Sequence, residues 1–175
     1  MVARRAYASQ GVGSTAFLTA KLFETRADVR MAHVPYRGAG PALTDIVAGH
    51  VDMMFDTIVT SLPLHRAGSA RIVAIANAQR SSALPNVPTF AESGMPDFRS
   101  ITWFGGVAPP GTSASIAEKV HTDLVEVLAR PEVNAKLAEL MLEPVASTPA
   151  QAAQFFVEET ALWGKVIRDT GVKAQ

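Results

Sequence analysis

The chain has 175 residues, 48% of them apolar and 18% charged, with sixteen basic residues balanced by sixteen acidic ones. That is the length and composition of one ordinary globular domain, and the even charge argues against a protein built around nucleic acid, which needs a basic excess or stripe. There is no cysteine, so disulfides, thiolate metal sites and cysteine nucleophiles are excluded.

Taken in chain order, residues Arg5 to Ser9 read as the end of a strand. The turn that follows carries Gly11, Gly13, Ser14 and Thr15 and enters a helix over 15–23, with Phe17, Leu18, Leu22 and Phe23 close to helical spacing. MAHVPY (Met31–Tyr36) reads as a second strand. GAGPALTDIVAGH then starts a helix with Pro41 in its first turn, Leu43, Ile46 and Val47 inward, and Gly49 at its stop. VDMMFD (Val51–Asp56) is a buried-strand candidate, followed by a short helix over TIVTSLPLHRAG. ARIVAIANA (Ala70–Ala78) is β-branched and uncharged after Arg71, and predicts the clearest strand of the chain. A one-turn helix is expected at Thr89–Ser93, closed by Gly94, and RSITWFGGVAPPGT reads as a strand halted at Pro109-Pro110-Gly111. The remainder is helical. Ser115 opens a helix with Ile116, Val120, Leu124 and Leu128 at spacing four, Pro131 opens the next, and Thr148-Pro149-Ala150-Gln151 is a capping box for the last, closed by Gly171. Strands alternating with helices predict an α/β fold with a mostly parallel sheet. The change of character near Trp103 marks a boundary between two units, 1–100 and 101–175.

No apolar run approaches the roughly 18 residues of a membrane span, so no membrane insertion is expected. The opening MVARRAYASQG has no apolar stretch after its arginines and does not read as a signal peptide.

The residues suited to chemistry bind rather than react. A helix N-terminus presents unpaired N–H groups and a partial positive charge, so it attracts phosphate or carboxylate. Gly11 and Gly13 allow close approach and Ser14 and Thr15 add hydroxyls; equally, the glycines merely turn and Ser14 caps the helix. Gly11-Val12-Gly13-Ser14-Thr15-Ala16 also matches the dinucleotide fingerprint, and Arg37 after the second strand suits a 2′-phosphate, which leaves an NADP-dependent oxidoreductase as an alternative. Tyr36 and Gly38, Ala39 and Gly40 form a second turn of the same kind, or pack and turn without a ligand. Asp56 binds a ligand amine or hydroxyl, or caps the helix beginning at Thr57, or does both. His33, His50, His65 and His121 show no metal-ligand spacing, no G-x-S-x-G elbow is present, and His33 reads as a packed strand residue. Neither a metal nor another cofactor is expected.

The strings YASQGVGSTAFLTAKLF, HVPYRGAGPALTDIVAGHVDMMFD, LPNVPTFAESGMPDF, WFGGVAPPGT and WGKVIRDTGVKA occur in this order over nearly the whole chain. They resemble the Bug (TctC-like) solute-binding proteins of tripartite tricarboxylate transporters. The resemblance implies a periplasmic-binding-protein type II fold with two lobes. It implies capture, between those lobes, of a small dicarboxylate, tricarboxylate, acidic amino acid or aromatic acid for the transporter's membrane subunits. The positions matching its ligand site are Ser9, Gly13, Ser14, Thr15, Tyr36, Gly38, Ala39, Gly40 and Asp56. Family members usually carry Asn at Val12, His at Phe17 and Asn at Thr57, so a less polar or altered ligand preference is expected. They also carry an export signal and most of one lobe before the segment matching Tyr7. The expectation is therefore an N-terminally truncated form: one parallel-sheet lobe plus the C-terminal part of a second. Such a form is expected to self-associate and to bind ligand weakly. Its compartment is periplasmic by resemblance and cytoplasmic if the start is genuine, in which case a stand-alone sensing or vestigial role is the further alternative.

Overall fold

In the computed structural model, which describes residues 5–172, strand β1 (Ala6–Ser9) is the centre of a three-stranded sheet. β2 (Ala32–Pro35) lies on one side of it and β3 (Met53–Met54) on the other. Both pairings are parallel, with Tyr7 opposite His33 and Met53, and Ala8 opposite Val34 and Met54. Strand alternation sends neighbouring side chains to opposite faces. Tyr7 therefore packs with Phe17, Ala20 and Met31 on one face, while Ala8 packs with Ala42 and Val51 on the other. Helix α1 (Thr15–Ala27) covers the first face and α2 (Ala39–Val47) the second. The strand order requires this. The β1–β2 and β2–β3 connections step in opposite directions across the sheet, and right-handed crossovers then place their helices on opposite sides.

Local chemistry sets the helix ends. Ser14 caps α1, accepting from the Phe17 amide, and Asp28 ends it in the left-handed region at φ 51°. Within α2 the fully buried contact is Ala42, whereas Val47, expected inward, is exposed.

The chain divides at Thr102/Trp103, and from Trp163 onward it rejoins the first unit. Within that unit, α3 (Ile58–Arg66) contributes Leu62 to a cluster with Ile75, Leu84 and Val87. The strand expected at 70–78 does not form. This segment makes an isolated bridge between Ile75 and Thr89, with Ile75 N–H donating to Pro88 O and Phe90 N–H to Ile75 O. Ile75 and Ile72 pack into the Leu62 cluster while Val73 is left exposed, and β-propensity without a full ladder partner does not produce a strand. The segment expected as a strand from Arg99 likewise forms no strand and makes no ladder bonds over residues 101–108 among the described residues. The helical turn expected at Thr89–Ser93 is a hydrogen-bonded turn. Thr89 and Glu92 cap it reciprocally, and Gly94 closes it at φ 94°. Leu22, Phe98 and Val166 form a further core, ringed by Phe23, Phe55 and Phe90, with the Phe90 and Phe98 rings 4.2 Å apart.

The second unit, Trp103–Leu162, holds α4 (Ala114–Leu128), α5 (Pro131–Glu139) and the first part of α6 (Pro149–Thr170). Ser113, two residues before the expected start, caps α4. The Thr148/Gln151 capping box forms in both directions, at 2.9 and 3.2 Å. Trp103 packs against Phe155 and Phe156, and its indole N–H donates to Glu159. The apolar stripe of α4 is uncovered among the described residues: Ile116 is 58% exposed, Val120 52% and Leu124 51%.

Candidate functional site

Because the three strands are parallel, their carboxyl ends share one edge, and the loops that leave them meet there. In an open sheet of order 2-1-3 the switch point lies between β1 and β3, where ligands settle outside the carboxyl ends of the strands. The loop after β1 contains Gly13, Ser14 and Thr15; β3 leads directly to Asp56; and β2, on the far side of β1, leads to Tyr36 and Gly38–Gly40. All nine residues singled out from the sequence therefore lie at or beside this edge.

The β1 loop is internally bonded. Ser9 is fully buried. Its Oγ accepts from Gly11 N–H at 3.1 Å, lies 3.2 Å from Gly11 O, and meets His33 Nε2 at 2.7 Å. Gly11 O also accepts from Ser14 N–H at 3.2 Å and from Ser14 Oγ–H at 2.7 Å. Ser14 Oγ in turn accepts from Phe17 N–H at 3.2 Å. The hydroxyls of Ser9 and Ser14 are thus committed to holding the turn. Among the described residues, the amides of Gly13, Thr15 and Ala16 have no protein acceptor. They make the α1 N-terminus an anion-attracting end. Gly11 at φ 111° and Gly13 at φ 85° occupy backbone conformations that side chains disfavour.

The second loop is similar at lower density. Tyr36 N–H donates to Ser9 O at 2.9 Å, which ties this loop to β1. Gly38 at φ 119° is the N-cap residue of α2, with no side-chain cap. The half-buried Tyr36 turns its hydroxyl onto Asp45 Oδ2 at 2.7 Å, a partner nine positions on that the sequence pattern did not signal. This bond raises the Tyr36 phenol above its ordinary range and, with His50, holds Asp45 below the usual carboxylate range. Asp56 does not cap the α3 backbone. Its Oδ2 accepts from the hydroxyls of Thr60 at 2.6 Å and Ser61 at 2.7 Å.

His33 is a feature whose role sequence reasoning missed. Its ring stacks on Tyr7 at 5.0 Å and meets Phe17 edge-on at 4.8 Å. Burial, then the charge of Lys21, lowers its basicity, with Glu24 opposing. Only the pairing of β1 with β2 brings this histidine to Ser9, so no local pattern announces it.

The described residues contain no group of three or more His, Asp or Glu placed to hold a metal. No helix among them is long and apolar enough to cross a membrane. A surface hollow of about 260 Å³, lined by His65, Arg66 and Leu84, lies at the C-terminal end of α3, away from the sheet's carboxyl edge.

This arrangement can hold an anion through backbone amides. The profile described as "Tripartite tricarboxylate transporter family receptor" matches residues 3–172. BugT of Bordetella pertussis is 35% identical over 96% of this chain and 52% of its own length. The R. palustris protein Rpa4515, solved with adipate, is 33% identical with a TM-score of 0.81, over 97% of this chain and 57% of that one. MatC from Rhodopseudomonas palustris, solved with bound malate, is 32% identical with a TM-score of 0.72, over 93% of this chain and 56% of that one. The chain spans about half the length of the first curated relatives, 48% and 52%. A receptor family matched over residues 3–172 replaces the dinucleotide reading of Gly11–Ala16, which rested on six residues. The chain belongs to the tripartite tricarboxylate transporter receptor family, the Bug (TctC-like) solute-binding proteins.

Proposed function

We propose that this chain carries the carboxylate-binding lobe of an extracytoplasmic solute-binding protein that delivers a small carboxylate to the membrane subunits of a tripartite transporter. The observation that carries the reading is the pair of helix N-termini, α1 and α2, at one edge of a parallel sheet, with the α1 amides lacking protein acceptors. Gly13, Ser14, Thr15, Tyr36, Gly38, Ala39, Gly40 and Asp56 surround the ligand in this reading, while Ser9 supports them from within. Two carboxylates on one ligand match two helix ends, and relatives solved with adipate and malate support that chemical class. Periplasmic residence follows from the same reading.

The second unit is, in this reading, part of the other lobe. Support comes from the bare α4 stripe and from Phe104, Val107 and Val145, each more than four-fifths exposed. Large apolar side chains exposed in this number favour association with further apolar surface. The chain by itself is therefore expected to self-associate.

Calorimetric titration with adipate, malate and NADPH tests the proposal. Saturable binding of a dicarboxylate, weakened by salt, is expected. Binding of NADPH with no response to either acid overturns it.

A further inference from the structure

We propose that His33 is the positioning residue of the β1 loop: through Ser9 it holds the glycine-rich turn in the form that presents the α1 amides. The inference rests on the carboxylate reading of that loop.

The argument starts from the weakness of the turn. Gly11 and Gly13 impose no conformation of their own, because glycine populates both signs of φ about equally. An anion site made of backbone amides binds well only when those amides are already in place, since ordering them on binding subtracts from affinity. Something outside the glycines must hold them. The hydrogen bonds run without a gap from β2 to the first turn of α1. His33 Nε2 meets Ser9 Oγ at 2.7 Å, Ser9 Oγ meets both polar atoms of the Gly11 backbone, Gly11 O takes the Ser14 hydroxyl, and Ser14 Oγ takes the Phe17 amide. The same imidazole packs on Phe17 itself, so it touches both ends of the chain of bonds. Ser9 also accepts the Tyr36 amide through its carbonyl, which places the root of the second loop on the same residue.

Both neutral tautomers complete the network. With hydrogen on Nε2, His33 donates to Ser9 Oγ and the Ser9 hydroxyl turns to Gly11 O. With hydrogen on Nδ1, the Ser9 hydroxyl donates to Nε2 and still accepts from Gly11 N–H. A phenyl ring preserves the stack on Tyr7 and Phe17 but offers Ser9 nothing. A glutamine side chain places an amide near the position of Nε2.

The test measures amide hydrogen exchange, resolved by residue, on the full chain and on His33→Phe, His33→Gln and Ser9→Ala. In His33→Phe and Ser9→Ala the amides of Gly11, Ser14 and Phe17 are expected to exchange about five- to ten-fold faster, the worth of one net hydrogen bond. The ladder amide of Ala32, bonded to Arg5 O, should keep its rate. His33→Gln should return toward the parent. Adipate affinity should fall and recover in the same order. Unchanged loop exchange in His33→Phe, no recovery in His33→Gln, or equal acceleration throughout β1 and β2 overturns the proposal. If His33→Phe does not fold, Ser9→Ala applies the same test with the aromatic stack intact. If the loop amides respond as expected while neither adipate nor malate binds the parent chain, the positioning role stands and the carboxylate reading falls.

Discussion

Replacing Ser14 by aspartate separates the two tasks of the α1 N-terminus. The serine hydroxyl caps Phe17 N–H at 3.2 Å and donates to Gly11 O at 2.7 Å. Alanine removes both, at about 1 kcal/mol for the cap and about 1 kcal/mol for the loop bond, so roughly 2 kcal/mol of local stability is lost. Aspartate caps as well as serine does and gains about 0.3–1 kcal/mol from the helix dipole. It loses only the donation to Gly11 O, and the net change in stability is under about 1 kcal/mol. Binding behaves in the opposite way. A new carboxylate about 5 Å from a bound one costs roughly 1–3 kcal/mol for an effective dielectric between 80 and 20, a loss of about five- to a hundred-fold in affinity. Thermal unfolding and adipate titration, each at low and high ionic strength, measure the two effects. Ser14→Asp should melt near the parent and bind far more weakly, with part of the loss recovered in salt as the charges are screened. Ser14→Ala should melt lower and keep more of its affinity. A Ser14→Asp protein that binds adipate as tightly as the parent would refute the placement of the carboxylate at this helix end.

Phe98, 3% exposed among Leu22, Val166 and the phenylalanines, should cost about 3–5 kcal/mol as Phe98→Ala by denaturant unfolding. A loss below about 1 kcal/mol would mean that this cluster is not a packed core. Arg80, then the Thr89 amide, lowers the Glu92 carboxyl to about 2. A depressed folded pKa contributes stability that is fully present above the ordinary value of 4.5 and is lost as pH falls toward 2. Glu92→Gln should therefore flatten the acid limb of a melting profile in that window, and an unchanged limb would count against the pairing. Lysines at Ile116, Val120 and Leu124 should reduce self-association, seen by sedimentation, with folding changed by less than about 0.5 kcal/mol per site as on an ordinary surface. A stability loss of several kcal/mol would show that the stripe is buried in solution.

What was legible in the sequence is what short-range chemistry controls. Ser14 beside two glycines announces a capped helix and an anion-friendly turn, and Thr148 with Gln151 announces a capping box, because each bond spans three or four residues. The order of strands and helices through β3 follows from the same local signals, and the extended strings that resemble the Bug family led to the family itself. Partner-dependent features were not legible. Ala70–Ala78 has the composition of a strand but finds a single bridge, Ile75 with Thr89, so a strong propensity yields no ladder. The Bug resemblance puts Ser9 among the ligand-site positions, and the partner that its buried hydroxyl meets, His33, lies twenty-four residues away. Asp56 reads as a ligand contact, a helix cap or both, and its carboxylate takes the side-chain hydroxyls of Thr60 and Ser61, with no capped α3 amide.

A helix N-terminus behind glycines was readable before any fold was known, since it depends on residues adjacent in the chain. The tertiary structure alone decided which ends meet. The order 2-1-3 sets β1 between β2 and β3, so Asp56, forty-seven positions after Ser9, comes to stand beside the loop that Ser9 supports. No local pattern encodes that neighbour, because strand order is set by the packing of the whole sheet and its helices and not by the residues of any one strand.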